Sequence, residues 1–413
     1  MGRPELLIPA GNLEKLRTAI LYGADAVYVG VPGLSLRAAQ AELSLAELEL
    51  GIAEAHRAGV KVYGAVNIFA RNSDLPKITE AIAQLAALKI DALIVSDPGA
   101  VQLIRKVAPQ LPLHLSTQAN TTNNEAVRFW LAQGIRRVVL ARELNLEEIT
   151  EIARAVPEME LELFIHGAMC IAYSGRCFLS AQRNRRSANR GDCTQPCRWE
   201  YALCELSRPN DPILMESDGR YTYLLNSKDL CMIEYLPEVL RTGVTSLKVE
   251  GRMKSVYYVA VVTRTYRQAL DAYFENPQSY RCRPEWLAEL GKVSYRGYTT
   301  GFYFSKEMIT ETTPECKYIK THDLVGVVED YDLVTRRMLV GVRNRLRSRD
   351  DVDLLLPDVI MPVAVNQMTD LDGIPLQIAH NSYRVYLPMS RPVPVGAVLR
   401  RKLNDPICKN QDA

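Results

Sequence analysis

From Glu5 to about residue 274, short β-branched apolar runs alternate with segments of helical period, eight times in succession. The runs are ELLIP from Glu5, AVYVG from Ala26, VKVYGAV from Val60, DALIVS from Asp91, LHLSTQ from Leu113, RVVLAR from Arg137, ELELFI from Glu160 and SLKVEG from Ser246. Between them lie stretches such as LEKLRTAILYGA and ITEAIAQLAALKI, whose apolar residues recur at helical spacing. Eight β-then-α units predict a (β/α)8 TIM-like barrel. A doubly wound open sheet shares the alternation. The barrel is favoured because a last helical run, VYYVAVVTRTYRQALDAYF, follows the eighth strand and no GxGxxG turn follows the first.

One connection breaks the rhythm. About sixty residues separate the seventh strand from a helix expected near Asp229, against the roughly two to six usual for such loops. This insertion, 167–228, carries Cys170, Cys177, Cys193, Cys197 and Cys204, then a turn, ESDGR, between two strand-like runs, with Cys231 just beyond. In a barrel it would sit on the C-terminal face, where active sites are assembled. After a linking segment, 275–321, the alternating runs of 322–405 predict a small C-terminal β-barrel domain. The last residues, 406–413, read as a tail.

With 47% apolar and 24% charged residues the chain has the composition of a soluble globular protein. No stretch approaches the roughly 20 apolar residues of a spanning helix and the start shows no basic-then-apolar leader, so no membrane association and a cytoplasmic location are expected. In a reducing compartment nine cysteines, an odd number, suggest metal or redox ligands rather than disulfides. Zinc suits the Cys193 and Cys197 pair, whereas the wider gap from Cys170 to Cys177 suits an iron-sulfur cluster at least as well. A net charge of +2 does not by itself announce nucleic-acid binding. Its distribution does more, since Arg183, Arg185, Arg186 and Arg190 crowd the cysteine segment, and Arg296 with Tyr298 in RGYTTGFY could meet phosphates and stack on bases.

The run ELFIHGAMCIAYSGRCFLS resembles the signature of the U32 peptidase, or collagenase-like, family. LIPAGNLEKL, GADAVYVG, STQANTTN, NSKDLC, LKVEGRMKSVYYV and RGYTTGFY resemble it too, over nearly the whole chain. The resemblance is strongest to the branch concerned with tRNA hydroxylation, the synthesis of 5-hydroxyuridine at the wobble position. It implies a 4Fe-4S cluster, prephenate as co-substrate, tRNA as partner and a paired homologue as a further one. By the family pattern the cluster ligands are Cys170, Cys177, Cys193 and Cys231, with Cys197 as the alternative fourth.

Polar residues at strand C-terminal ends supply the rest of the expected site. Gln118, Arg142, Glu162, Asn226, Lys248 and Arg252 are candidates for binding substrate, with the cations suited to a small carboxylate donor. His166 is the expected proton-transfer group, assisted by Glu143 and Glu250. Two rival readings remain: an endopeptidase, with Ser174 or Ser180 beside His166, and a cluster-bearing scaffold that turns nothing over alone.

Overall fold

The computed structural model describes residues 2–36, 43–170, 172–199, 227–304 and 318–409. The first seven strands are β1 (Glu5–Ala10), β2 (Ala26–Gly30), β3 (Lys61–Val66), β4 (Ala92–Val95), β5 (Leu113–Leu115), β6 (Arg137–Val139) and β7 (Glu160–Ala168). Each of the first six leads into a helix: α1 (Leu13–Leu21), α2 (Leu45–Arg57), α3 (Leu75–Ala87), α4 (Pro98–Val107), α5 (Asn124–Ala132) and α6 (Leu146–Ala155). Several of these turns end on a side chain that caps the helix, among them Asn12, Asp97 and the capping boxes Ser44 with Glu47 and Asn145 with Glu148. Such caps satisfy backbone N–H groups that the first helical turn leaves unpaired.

The short α7 (Leu179–Asn184) lies in the insertion, followed by β8 (Asp229–Cys231), α8 (Leu236–Arg241), β9 (Ser246–Val249) and α9 (Val256–Glu275). β9 pairs in parallel with both β7 and β1, Ser246 beside Glu162 and Lys248 beside Leu7. The ring of eight parallel strands is therefore closed. β8 is not a member of it: it runs antiparallel to β7, with Cys231 opposite His166. The helix expected near Asp229 is thus a strand there, and α8 starts at Leu236. The ESDGR turn and its flanking runs, with Cys204 and Asn226, lie outside the described residues.

Period-two alternation sorts the barrel's apolar side chains. Leu6 and Ile8 pack outward with the helices, while Leu7, Ala26, Tyr28, Tyr63, Ala92 and Ile94 form a separate internal cluster. Charged residues share that interior. Arg137 bonds Glu5 at 2.6 Å, Glu160 at 2.8 Å and Glu162 at 3.3 Å, and Lys248 donates to Glu162 at 2.7 Å. Burial alone would raise the Glu162 carboxyl, yet Lys248 and Arg137 hold it below its ordinary value.

α10 (Pro284–Leu290) and β10 (Tyr298–Thr299) lead to the C-terminal domain, an antiparallel six-stranded sheet with its own core. Its first strand starts at Tyr318 and its last runs from Val398 to Lys409, so residues 406–409, expected as tail, are strand. The domain docks on the outer helices. Tyr22 of α1 donates to the Leu355 carbonyl at 2.6 Å, Arg264 of α9 to the Leu356 carbonyl at 2.7 Å, and Arg400 bonds Glu289 of α10 at 2.6 Å. Among the described residues no helix is long and apolar enough to cross a membrane.

Candidate active site at the barrel mouth

The C-terminal ends of the strands and the insertion enclose one cavity. Tyr28, Asn67, Gln118, Arg142, Lys248, Glu250 and Arg252 line it from the barrel side, and Cys170, Cys177, Cys193, Cys197, Gln195 and Arg198 from the insertion. Among the described residues its charged lining is four cations, Arg142, Arg198, Lys248 and Arg252, against one carboxylate, Glu250. A low-dielectric pocket with that excess favours anions.

The four lining cysteines sense one another. Burial pushes the Cys197 thiol up to about 11, and the neighbouring Cys170 and Cys193 add to the shift. Cys177 is likewise raised, first by burial and then by Cys170 and Cys193. Backbone N–H groups already point at two of the sulfurs, Leu179 at Cys177 Sγ (3.3 Å) and Gln195 at Cys193 Sγ (3.4 Å). Among the described residues no three His, Cys, Asp or Glu side chains are gathered so as to hold a metal ion. A cluster distributes its thiolates over separate iron atoms and needs a wider frame than one ion does.

Cys231 lies elsewhere. It is buried outside the cavity lining, 3.8 Å from the Tyr266 hydroxyl, with its thiol raised to about 12 first by burial and further by Glu234 and Cys282. Cys197, and not Cys231, therefore shares the cavity lining with Cys170, Cys177 and Cys193.

The insertion is tied down by polar bonds. Ser174 holds a left-handed φ of +43°, an unfavourable conformation for a residue with a side chain, and Glu143 accepts from both its backbone N–H and its hydroxyl at 2.6 Å. Glu143 therefore fixes the loop between Cys170 and Cys177 and does not line the cavity. Arg190 bonds Asp74 at 2.8 Å, and Arg176 donates to the Gln118 carbonyl at 2.9 Å.

Arg142 and Glu250 meet in the lining. The Arg142 guanidinium lies 3.8 Å from the centre of the Phe164 ring, 2.7 Å from the Ala168 carbonyl and 3.7 Å from Glu250. Glu250 also accepts from the Tyr28 hydroxyl at 3.3 Å. Gln118 is 4% exposed, and its amide oxygen, like that of Gln195, is buried with no hydrogen-bond partner among the described residues. Unmet buried acceptors at a cavity wall suit a ligand that brings donors.

Several expected site residues stand away from the cavity. Glu162 sits deeper, bonded to Lys248, Arg137 and Ser246. His166 is 1% exposed and packs among Tyr258, Tyr266 and Tyr298, its Nδ1 3.4 Å from the Tyr266 hydroxyl. Burial holds its pKa down to about 3, Asp229 opposing the shift only in part, so it is a neutral packing residue. The register of β7 against β9 shifts between Phe164 and His166. Such a bulge re-aims a side chain that simple alternation would turn inward.

Arg296 is 3% exposed and bonds Asp229 at 2.6 Å, and Tyr298 stacks on Tyr295 while donating to the Leu290 carbonyl. Arg296 is thus interior and not an RNA surface, while Tyr298 is half-buried. Arg183, Arg185 and Arg186 are exposed, Arg186 beside Asp192. Ser174 and Ser180 bond Glu143 and Thr194 rather than His166, so the serine and histidine pairing considered for a peptidase is absent among the described residues. Sequence reasoning missed Tyr28, Gln195 and Arg198. Tyr28 lies mid-strand in an apolar run, and the other two lie in a loop whose path no periodicity reveals.

A closed (β/α)8 barrel with a thiol-bearing insertion over its mouth and a β domain docked behind it defines the class of protein. The chain belongs to peptidase family U32: residues 11–313 match the model of that family, and 320–400 match its C-terminal domain. It is similar to the tRNA hydroxylation protein P1 of Bacillus subtilis (strain 168), 38% identical over 93% of this chain and 91% of that one. It is also similar to the 23S rRNA 5-hydroxycytidine C2501 synthase of Escherichia coli (strain K12), 34% identical over 93% of this chain and 56% of that one. A third relative is a collagenase of Porphyromonas gingivalis (strain ATCC BAA-308 / W83), 34% identical over 74% of each chain.

Proposed function

We propose that this chain is an RNA hydroxylase that converts the wobble uridine of tRNA to 5-hydroxyuridine, with prephenate as co-substrate and a 4Fe-4S cluster held by Cys170, Cys177, Cys193 and Cys197. The observation that carries the reading is the cavity itself, where four thiols and four cations converge on the catalytic face of a barrel. Relatives named for tRNA hydroxylation and for rRNA hydroxycytidine synthesis support RNA as the substrate class.

The residues divide the work by chemistry. Replacing C5–H by C5–OH adds one oxygen atom and removes two electrons from the base, so the reaction needs an oxygen source and an oxidant besides prephenate: dioxygen with a reductant, or water with a two-electron acceptor. A bound cluster supplies one-electron redox chemistry or a Lewis-acidic iron. Arg142 and Arg252 grip the carboxylates of the dicarboxylate co-substrate, and Lys248, fixed by Glu162, adds positive charge. Gln118 accepts a hydrogen bond from a donor of the bound substrate. Glu250, held by Tyr28 and Arg142, is the carboxylate placed to take a proton inside the cavity. Glu143 and Glu162 act as positioning residues.

The test is a preparation loaded anaerobically with iron and sulfide, then incubated with unmodified tRNA transcript and prephenate, in parallel arms with dioxygen plus a reductant and with an added two-electron acceptor in water, followed by nucleoside mass spectrometry. Gain of one oxygen on the wobble uridine, dependent on prephenate, is expected. Cleavage of gelatin without RNA turnover would replace this reading with a peptidase. Product formed only after adding a second family member would make the chain one half of a paired enzyme.

A further inference from the structure

Three large aromatic side chains stand out into solvent on the cysteine-bearing insertion. Phe178 is 82% exposed, Tyr173 52% and Trp199 40%. Each is the chain neighbour of a cavity-lining residue: Tyr173 of Ser174, Phe178 of Cys177 and Leu179, and Trp199 of Arg198. Consecutive Cα atoms are only about 3.8 Å apart, so the backbone of all three runs directly beside the cavity lining. The turns around them are fixed, since Glu143 holds Ser174 and the Leu179 amide meets Cys177 Sγ.

An exposed phenylalanine at this level forgoes the burial that usually justifies such a side chain. Arg183 in α7 and Arg185 directly after it are exposed on the same segment. Apolar ring faces interleaved with guanidinium groups match single-stranded nucleic acid, whose bases stack while its phosphates are neutralised. An apolar protein partner would match the rings but not the positive charge of this segment, so charge complementarity favours the polyanion.

We propose that Tyr173, Phe178 and Trp199 form a stacking platform for unpaired bases of an RNA loop, with Arg183 and Arg185 taking the flanking phosphates. This rests on the reading of the chain as RNA-modifying and deepens it, because it names the surface and the form of RNA that surface selects. A base bound for a buried site must leave its stack. Rings at the rim replace the stacking its neighbours lose.

The experiment is equilibrium binding, by fluorescence anisotropy, of a labelled RNA stem-loop and of the fully paired stem to the full-length protein. The parent, Phe178→Ala, Trp199→Ala and Phe178→Trp are compared, with Phe129→Ala as the control, an aromatic 56% exposed on α5. Each lost stack is expected to weaken loop binding by roughly 5- to 150-fold, and Phe178→Trp to restore it. Arg183→Ala and Arg185→Ala should each lower the slope of log affinity against log salt by about 0.7, which the ring variants leave unchanged. Loop binding kept within twofold in both ring variants, or a parent that prefers the paired stem, overturns the platform alone. A parent that binds neither RNA removes the RNA reading with it. Ring variants that change self-association while leaving RNA binding intact assign the surface to a protein and also overturn the proposal.

Discussion

Gly167 on β7 faces the backbone carbonyl of Glu250, just after β9, so closely that an added Cβ would fall well inside van der Waals contact. Its φ of +108° lies where side-chain-bearing residues are strained. The Glu250 amide meanwhile donates to the His166 carbonyl at 2.8 Å. This close pass of two backbones sets where Glu250 enters the cavity. Gly167→Ala is expected to cost at least about 2 kcal/mol in urea denaturation and to lower turnover by shifting Glu250. A variant of unchanged stability would show that the strands separate freely.

The placement of the thiols makes a sharper claim than their spacing did. Cys170→Ser, Cys177→Ser, Cys193→Ser and Cys197→Ser should each lose iron, sulfide and visible absorbance after anaerobic loading. Cys231→Ser should keep all three, because its thiol is packed against Tyr266 outside the cavity. A colourless Cys231→Ser protein with a coloured Cys197→Ser protein would reverse the assignment.

What the sequence made legible was whatever repeats locally. Six of the eight barrel strands fall within their expected runs, and β1 and β7 start with theirs and overrun them by one and three residues, because strand and helix periods differ and alternate. The cavity was legible in part, since Gln118, Arg142, Lys248, Glu250 and Arg252 are strand-end or near-strand-end residues whose direction follows from barrel geometry. His166 was misjudged because a bulge re-aimed it, and Arg296 because its partner Asp229 is 67 positions away in the chain. Neither a register shift nor a long-range ion pair leaves a periodic trace.

His166 gives a pH signature. Its folded pKa is about 3 against an ordinary 6.5, the result of burial among three tyrosines with Asp229 and Lys254 acting oppositely. The unfolded chain takes up a proton below 6.5 while the folded one does not until about 3. Its contribution is therefore intact above about 6.5 and is lost as pH falls through that window, by about 1.4 kcal/mol per unit. His166→Gln should reduce the slope of stability between pH 6 and pH 5, with His114 and His322, also lowered by burial, supplying the remainder. If His166 instead transferred protons in catalysis, the variant would lose turnover with its stability slope unchanged.

Arg142→Lys tests the anion grip. Lysine keeps the charge but not the planar fork, and it cannot spread over the Phe164 ring as the guanidinium does at 3.8 Å. Loss of a charge-assisted hydrogen bond of about 1.5–3 kcal/mol predicts a rise in the KM for the carboxylate co-substrate of roughly 10- to 150-fold. Iron content should be unchanged. A KM equal to the parent's would move the carboxylate to Arg252 or Arg198.

A buried ion pair holds the β domain to α10. Arg400 is 1% exposed and forms two bonds to Glu289, at 2.6 and 3.1 Å, with Asp353 at 3.4 Å as its other carboxylate. Burial opposes both charges, and each stabilises the other: the Arg400 guanidinium is raised and the Glu289 carboxyl lowered. Removing one partner strands a charge in the interface between α10 and the sheet, a loss of about 3–5 kcal/mol. Glu289→Met should therefore destabilise strongly in chemical denaturation and expose α10 to proteolysis. The double variant Glu289→Met with Arg400→Met removes both charges and should recover most of the loss. If the two single losses simply add in the double variant, the pair is not what fastens the domain, and the Tyr22 and Arg264 bonds to Leu355 and Leu356 carry the attachment.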